Sequence, residues 1–552
     1  MGRAAALLAV LAAAAFAAGW AGTASAQTVP GTTVRPQGAL VEPESYDRPP
    51  PGRSMAAREA LRLAAARPNV RETLAEHPRA YARAYLADGG RWQVSWFEPP
   101  SRAQERREEI AQVLIRDRDR RVLEAWTGVQ VEWPMARGYP GQFGRAVNAP
   151  WVWIGLCVLF ALPFARPPLR LLHLDLAVLL AFSVSYAFFG AANLDVSVPS
   201  AYPLLAYLLV RMVVVARRPP APPPRLLVGP GFLLIAIAFL AAFRVALNVA
   251  DGNVIDVGYA SVIGADRLAG GHELYGAFPP DNPRGDTYGP VAYAAYVPFE
   301  LLFPWTSGSW DDLPAAHAAA IAFDLGCALL LWRIGRRLGD GAGGLLLPYL
   351  WMAFPFTLMV ANAGANDALV TLLVLGALLA SARPAARGAL VALAGLTKLA
   401  PLALAPLFAA YRPRRLLAYG AAFATVLALA LSPFDLGVLW DRTLGFQQDR
   451  DSPFSVWGLY ELPDALQLVA QALAAGFAVA VAFLRPSSPR ALAALAAAVL
   501  IALQLVADHW FYLYLVWFAP LVWIAMLTAP AAGSARSRPP AAAAATPAPA
   551  PR

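Results

Sequence analysis

An all-α polytopic membrane protein with a small α+β domain near its start is the fold class this sequence predicts, and three observations predict it. Of the 552 residues, 58% are hydrophobic and only 15% charged, too apolar a balance for a soluble globular chain. From about residue 150 onward, apolar stretches alternate with short arginine-bearing loops, which predicts about 13 membrane segments. Residues 27–145 are instead polar and rich in Arg and Glu. The net charge of +9 sits largely in the short loops, where it sets topology and calls for no nucleic acid.

Residues 1–26 read as a signal peptide: Arg3, the apolar run Ala4 to Ala18, then the small-residue pattern Ala24-Ser25-Ala26. Residues 27–52 are Pro-rich and extended. Helices are expected over Met55–Arg67 and Val70–Leu86. Strands are expected over Arg91–Phe97, Glu109–Ile115 and Val122–Trp133, the last two flanking the charged turn Arg116–Arg121. The aromatic-ended strand, the charged turn and the stretch Val122-Leu-Glu-Ala-Trp-Thr-Gly128 together resemble PepSY-type extracytoplasmic domains. The resemblance implies an accessory or binding module over residues 27–145.

Three additional transmembrane helices follow in 148–225, and a larger membrane module spans 226–529. Cys157 and Cys327 lie inside apolar spans and read as packing residues, with no disulfide and no metal site. Two long acidic stretches, 251–312 and 432–462, are expected outside the cell. The Ala/Pro/Ser/Arg tail, 530–552, reads as disordered and cytoplasmic. Gly388 to Tyr411 is flanked by arginines on both sides: Arg383 and Arg387 before it, Arg412, Arg414 and Arg415 after it. One crossing would put one cluster outside, so a re-entrant hairpin is expected, turning near Thr397-Lys398 and broken before Pro401.

Lys398 is the only lysine in the chain. An ammonium at membrane depth costs several kcal/mol unless it is paired or hydrated, so it marks a functional position. Snorkelling to an interface is the plainer reading, but arginine snorkels equally well and this chain prefers it. Asp251 and Asp256 directly follow an apolar helix, where a carboxylate near the headgroups suits a general base. The stretch Asp286-Thr-Tyr288-Gly-Pro290 to Trp305 reads as an aromatic interfacial helix. Arg442 and Arg450 add cations suited to a lipid-linked phosphate, or they pair with the neighbouring Asp441, Asp449 and Asp451.

From about residue 226 the chain resembles the GT-C superfamily of polytopic glycosyltransferases, closest to glycosyltransferase family 87. The segments that carry the resemblance are Asp256-Val-Gly-Tyr259, Gly271-His-Glu-Leu-Tyr275, Tyr288-Gly-Pro290, Ala363-Gly-Ala-Asn366-Asp367 and Ala394-Gly-Leu-Thr-Lys-Leu-Ala-Pro401. It implies inverting transfer of a mannose-like hexose or a pentose from a polyprenyl-phosphate donor, on the extracytoplasmic face of the cell membrane, to a glycolipid, glycan or protein. Asp256, with Asp251 as runner-up, would be the base. Lys398, Arg442, Arg450, Tyr275, Tyr288, Asn366 and Asp367 would bind the donor. No cofactor and no metal is implied. The rival readings are a transporter or flippase for a lipid-linked substrate, and a non-catalytic scaffold for the PepSY-like domain.

Overall fold

The structure, a computed structural model, describes residues 40–99, 108–138, 141, 143–166, 170–219, 224–279, 282–306, 313–448 and 452–528. The expected signal peptide, the tail and Arg450 lie outside the described residues.

The N-terminal domain is a four-stranded antiparallel sheet, β1 (Tyr81–Ala87), β2 (Arg91–Phe97), β3 (Glu109–Arg116) and β4 (Arg121–Thr127), in sequential order. Helices α1 (Ala57–Ala65) and α2 (Pro68–Glu76) cover one face. Trp92, Val94 and Val113 alternate onto that face and join Met55, Ala60 and Val70 in its core. Asp117 in the β3–β4 turn accepts hydrogen bonds from the Ser54 and Met55 amides and the Trp92 indole, tying the approach to α1 to the sheet.

Two expectations need correction here. Tyr81–Ala87 is a strand, not the end of a helix: Pro78 follows the last turn of α2, and the chain then alternates across a pleat. The last strand stops at Thr127 because Gly128 adopts φ +57, and a short helix, Val129–Glu132, follows.

The rest is helical: α3 (Pro150–Ala161), α4 (Leu171–Gly190), α5 (Leu194–Arg217), α6 (Pro230–Asp251), α7 (Asp256–Ala269), α8 (Pro314–Leu338), α9 (Leu346–Ala353), α10 (Pro355–Asn362), α11 (Asp367–Leu379), α12 (Pro384–Thr397), α13 (Ala405–Ala410), α14 (Leu416–Leu431), α15 (Asp464–Ala480), α16 (Pro489–Val506) and α17 (Leu515–Leu527). Proline opens many of them at the first position, where its missing N–H costs nothing. Among the described residues, six helices are long and apolar enough to cross a membrane, or seven if the pair Leu416–Leu431 and Leu436–Gly445, bent by 105°, counts as one span. Length and composition thus qualify six or seven full spans among the described residues, beside several shorter apolar helices, and do not confirm the expected count of about 13 segments. Exposed Leu234, Ile235 and Phe239 on α6, and Leu468, Val469 and Leu473 on α15, form the apolar exterior such helices present to lipid. Helices α9 and α10 are buried along their whole length, and α16 packs on α5 and α17.

The long acidic stretch after α6 is not a plain loop, because it contains α7. The expected interfacial helix is two short helices, Pro290–Ala294 and Val297–Glu300, which bury Tyr293 and Tyr296 and leave Leu301, Leu302 and Phe303 exposed.

The sheet domain is joined to the bundle by more than the chain. Gln130 donates to the Ala192 carbonyl at 3.0 Å, and Trp133 stacks on His509 with ring centres 6.0 Å apart.

Candidate functional site

The hairpin builds the floor of the site. Helix α12 ends at Thr397, Lys398 takes an extended backbone, and Ala400–Leu404 followed by α13 leads back. The two feet meet: Arg387 at the start of α12 donates to the Tyr411 carbonyl at 2.7 Å and to Ser381 at 3.1 Å. Its guanidinium lies 5.4 Å from the rings of both Tyr411 and Tyr419. The arms are unequal: α12 has 14 residues and α13 only six. Gly388 lets α12 approach α14 closely, since a Cβ there would collide with the Tyr419 backbone.

Lys398 at the tip is buried, and its Nζ donates to Asp367 Oδ1 at 2.7 Å. Asp367 is the first residue of α11, just past the break Ala363–Asn366 that separates α10 from α11. The Trp517 indole donates to the same oxygen at 2.9 Å. The rings of Tyr288, Tyr514 and Trp517 lie 5.5, 5.5 and 5.6 Å from Nζ, within cation–π range. Asp367 Oδ2 is buried and has no hydrogen-bond partner among the described residues. Lys398, expected to bind the donor phosphate, thus lies against a carboxylate and three aromatic rings. Its charge is neutralised by Asp367 and enclosed by aromatic rings.

Tyr288-Gly289-Pro290 sits directly on this tip. A Cβ at Gly289 would overlap the Leu396 carbonyl, so only glycine permits the approach. The Tyr275 hydroxyl donates to the Tyr288 carbonyl at 3.0 Å. Burial, and then the nearby Asp286 charge, raise the Tyr275 phenol above its ordinary pKa.

A second ion pair lies on the same stretch. Arg442 grips buried Asp286 with two hydrogen bonds, Nε–Oδ2 at 2.7 Å and Nη2–Oδ1 at 2.6 Å, and donates to the Pro283 carbonyl at 2.7 Å. Among the described residues its carboxylate partner is thus not the adjacent Asp441 but a residue 156 positions upstream; Asp449 and Asp451 lie outside them. Beside the pair is a basin of about 200 Å³ lined by Arg284, Thr287, Asp441, Arg442 and Phe446. The Arg284 guanidinium lies 5.6 Å from the Phe446 ring.

The two candidate bases separate clearly. Asp251, the last residue of α6, accepts the Ala146 amide at 2.6 Å, and its own carbonyl receives Asn362 at 3.1 Å. It fastens the segment before α3 to α6. Asp256 is exposed at the first position of α7, where a helix N-terminus favours a negative charge. Asn366 reaches Ser261 on α7 at 3.3 Å, joining α7 to the break before α11.

Arg244 lies buried on α6. It makes a buried two-point pair with Asp324 and also donates to Thr357 and to the Met352 carbonyl near the α9–α10 break. Among the described residues, no group of three or more His, Cys, Asp or Glu gathers as a metal site.

The residues that sequence reasoning missed are Arg284, Thr287, Tyr514 and Trp517. Nothing in Phe511-Tyr-Leu-Tyr-Leu-Val-Trp517 separates these rings from ordinary membrane aromatics. No family model matches the chain, and no curated protein matches it.

Proposed function

We propose that this chain is an integral-membrane glycosyltransferase that moves a sugar from a polyprenyl-phosphate donor to an acceptor hydroxyl outside the cell. The observation that carries the reading is the meeting of Tyr288, Asp367 and Lys398, from three separate stretches, beside a two-arginine basin at one end of the bundle. In this reading the chain crosses the membrane with about 13 segments, re-entrant arms included. The sheet domain and the site both face outward.

Asp256 accepts the proton of the acceptor hydroxyl as its oxygen attacks the anomeric carbon. The bond from that carbon to the phosphate oxygen breaks, and the electron pair leaves with the phosphate. Arg284 and Arg442 stabilise that charge, the Thr287 hydroxyl adds a donor at the basin wall, and Lys398 closes the hairpin beneath. Net attraction for a single phosphate suits the basin better than a diphosphate does, because Asp286 and Asp441 already offset much of its positive charge. The exposed ridge Leu301-Leu302-Phe303 suits contact with lipid chains.

A lipid-linked-substrate transporter is the second reading, favoured by the break between α9 and α10 beside a buried ion pair. One experiment separates the two. Asp256→Asn, assayed in proteoliposomes with a polyprenyl-phosphate sugar, is expected to abolish transfer while the variant still binds donor. Undiminished transfer in Asp256→Asn would remove the enzyme reading of this acid.

A further inference from the structure

Trp517 lies 150 positions after Asp367, on the last described helix. Neither it nor Tyr514 belongs to the stretches that carry the candidate chemistry. Both nonetheless close the cage around Lys398, and they stack on each other with ring centres 4.4 Å apart. The pair they enclose is sparsely held. Asp367 Oδ1 receives two donors while the buried Oδ2 receives none. A carboxylate held through one oxygen takes its orientation from those two donors alone. Among the described residues Lys398 makes one side-chain hydrogen bond, to Asp367, and otherwise faces rings.

The geometry reaches from this cage into the basin. Tyr288, which covers the ammonium, directly follows Thr287 of the basin wall and Asp286, the partner of Arg442. Gly289 rests on the carbonyl of Leu396, two residues before Lys398. Four consecutive residues, 286–289, thus run from the arginine grip to the hairpin tip.

We propose that Trp517 and Asp367 are positioning residues: they hold Lys398 at the hairpin tip and, through Tyr288, set the stretch 286–289 that walls the two-arginine basin. Lys398 then acts on the donor phosphate at second hand, by placing Thr287 and Asp286. This deepens the transferase reading. Only its activity arm rests on that reading; the labelling arm stands apart.

The chain's single lysine makes the test direct. Full-length protein in lipid nanodiscs is treated with N-hydroxysuccinimidyl acetate, and Lys398 acetylation is followed by peptide mass, which separates it from the N-terminal amine. Lys398 is expected to react at least ten-fold faster in Asp367→Asn and in Trp517→Phe, which keeps a ring but loses the N–H, than in the parent. Equal rates in parent and variants overturn the proposal. If Asp367→Asn does not fold, Trp517→Phe decides alone.

The activity arm compares donor KM and kcat. Trp517→Phe is expected to raise donor KM at least three-fold with kcat within two-fold of the parent. Faster labelling with an unchanged donor KM overturns the link to the basin. A parent that transfers no sugar sinks the transferase reading and leaves the labelling result to decide the hold on Lys398.

Discussion

Arg244–Asp324 and Lys398–Asp367 each join a cation to a carboxylate inside the helical bundle, and they are satisfied very differently. Arg244 uses its guanidinium fork on both oxygens of Asp324, and its remaining nitrogen reaches Thr357 and Met352. Trp351 adds a further donor to Asp324. Trp351, Met352 and Thr357 all lie at or near the α9–α10 break, where Pro355 removes a backbone donor. Lys398, by contrast, has one carboxylate oxygen and three rings, and the other oxygen of Asp367 is left empty. The saturated pair seals a helix break. The unsaturated pair sits where three candidate stretches converge, with spare hydrogen-bonding capacity. Burial and charge alone would not tell them apart; the count of satisfied atoms does.

The comparison can be broken most forcefully at Arg244. Arg244→Leu strands Asp324 in the bundle and is expected to cost about 3–5 kcal/mol, whereas Arg244→Leu with Asp324→Leu should recover most of that loss. Thermal unfolding in detergent reads both, and a double variant no better than the single would deny the pair its sealing role.

Lys398→Met also leaves a buried carboxylate, Asp367, without its cation and so costs stability, though it gives up fewer hydrogen bonds than Arg244→Leu does. Donor use should fall ten-fold or more, about 1.4 kcal/mol or greater. Lys398→Arg should be partly active, since a fork fits a cage shaped around an ammonium poorly. Transfer at the parental rate in Lys398→Met would make the two pairs equivalent after all.

A third carboxylate sharpens the contrast from outside the bundle. Burial alone would raise the pKa of Asp117, but hydrogen bonds from Ser54, Trp92 and Met55 outweigh it and hold it below the ordinary value. Its contribution is therefore fully present above the ordinary carboxylate value and is lost as pH falls below that value and through the lowered pKa of the folded state. Asp117→Ala should destabilise the sheet domain by about 1–3 kcal/mol near neutral pH and by less in acid. Hydrogen exchange of α1 and β2 amides at the two pH values checks it; a pH-independent loss would contradict it.

The smallest effect is expected at Asp251. An asparagine oxygen still accepts the Ala146 amide, so Asp251→Asn should cost less than about 1 kcal/mol. Transfer should stay near the parental rate, unlike Asp256→Asn. Loss of transfer in Asp251→Asn alone would exchange the two roles.

Much of the site was legible as pieces. Lys398 stood out as the one lysine in an arginine chain, and paired arginine clusters pointed to a hairpin whose feet Arg387 and Tyr411 now join. Tyr288-Gly-Pro and Asn366-Asp367 were visible as motifs. The sheet was partly legible: alternation in β2 and β3 was clear, whereas the small residues of Tyr81-Ala-Arg-Ala-Tyr-Leu-Ala87 satisfy a helix as readily as a strand. Pairing with β2 decides that segment.

The sequence by itself determined the class of molecule, the order of its apolar segments and the residues too costly to bury without a reason. Those are local properties: the free energy of placing a lysine or a run of leucines in lipid depends on composition over one segment. Which partner each charge takes was decided only by the tertiary structure. Asp286 meets Arg442 across 156 residues and Asp367 meets Trp517 across 150. No local pattern encodes such distances, because a carboxylate reads the same in sequence whether its neighbour in space is a lysine, an amide or nothing. Packing brings the first turns of α11 and α17 to the last turn of α12, and that juxtaposition encloses Lys398 between a carboxylate and aromatic rings.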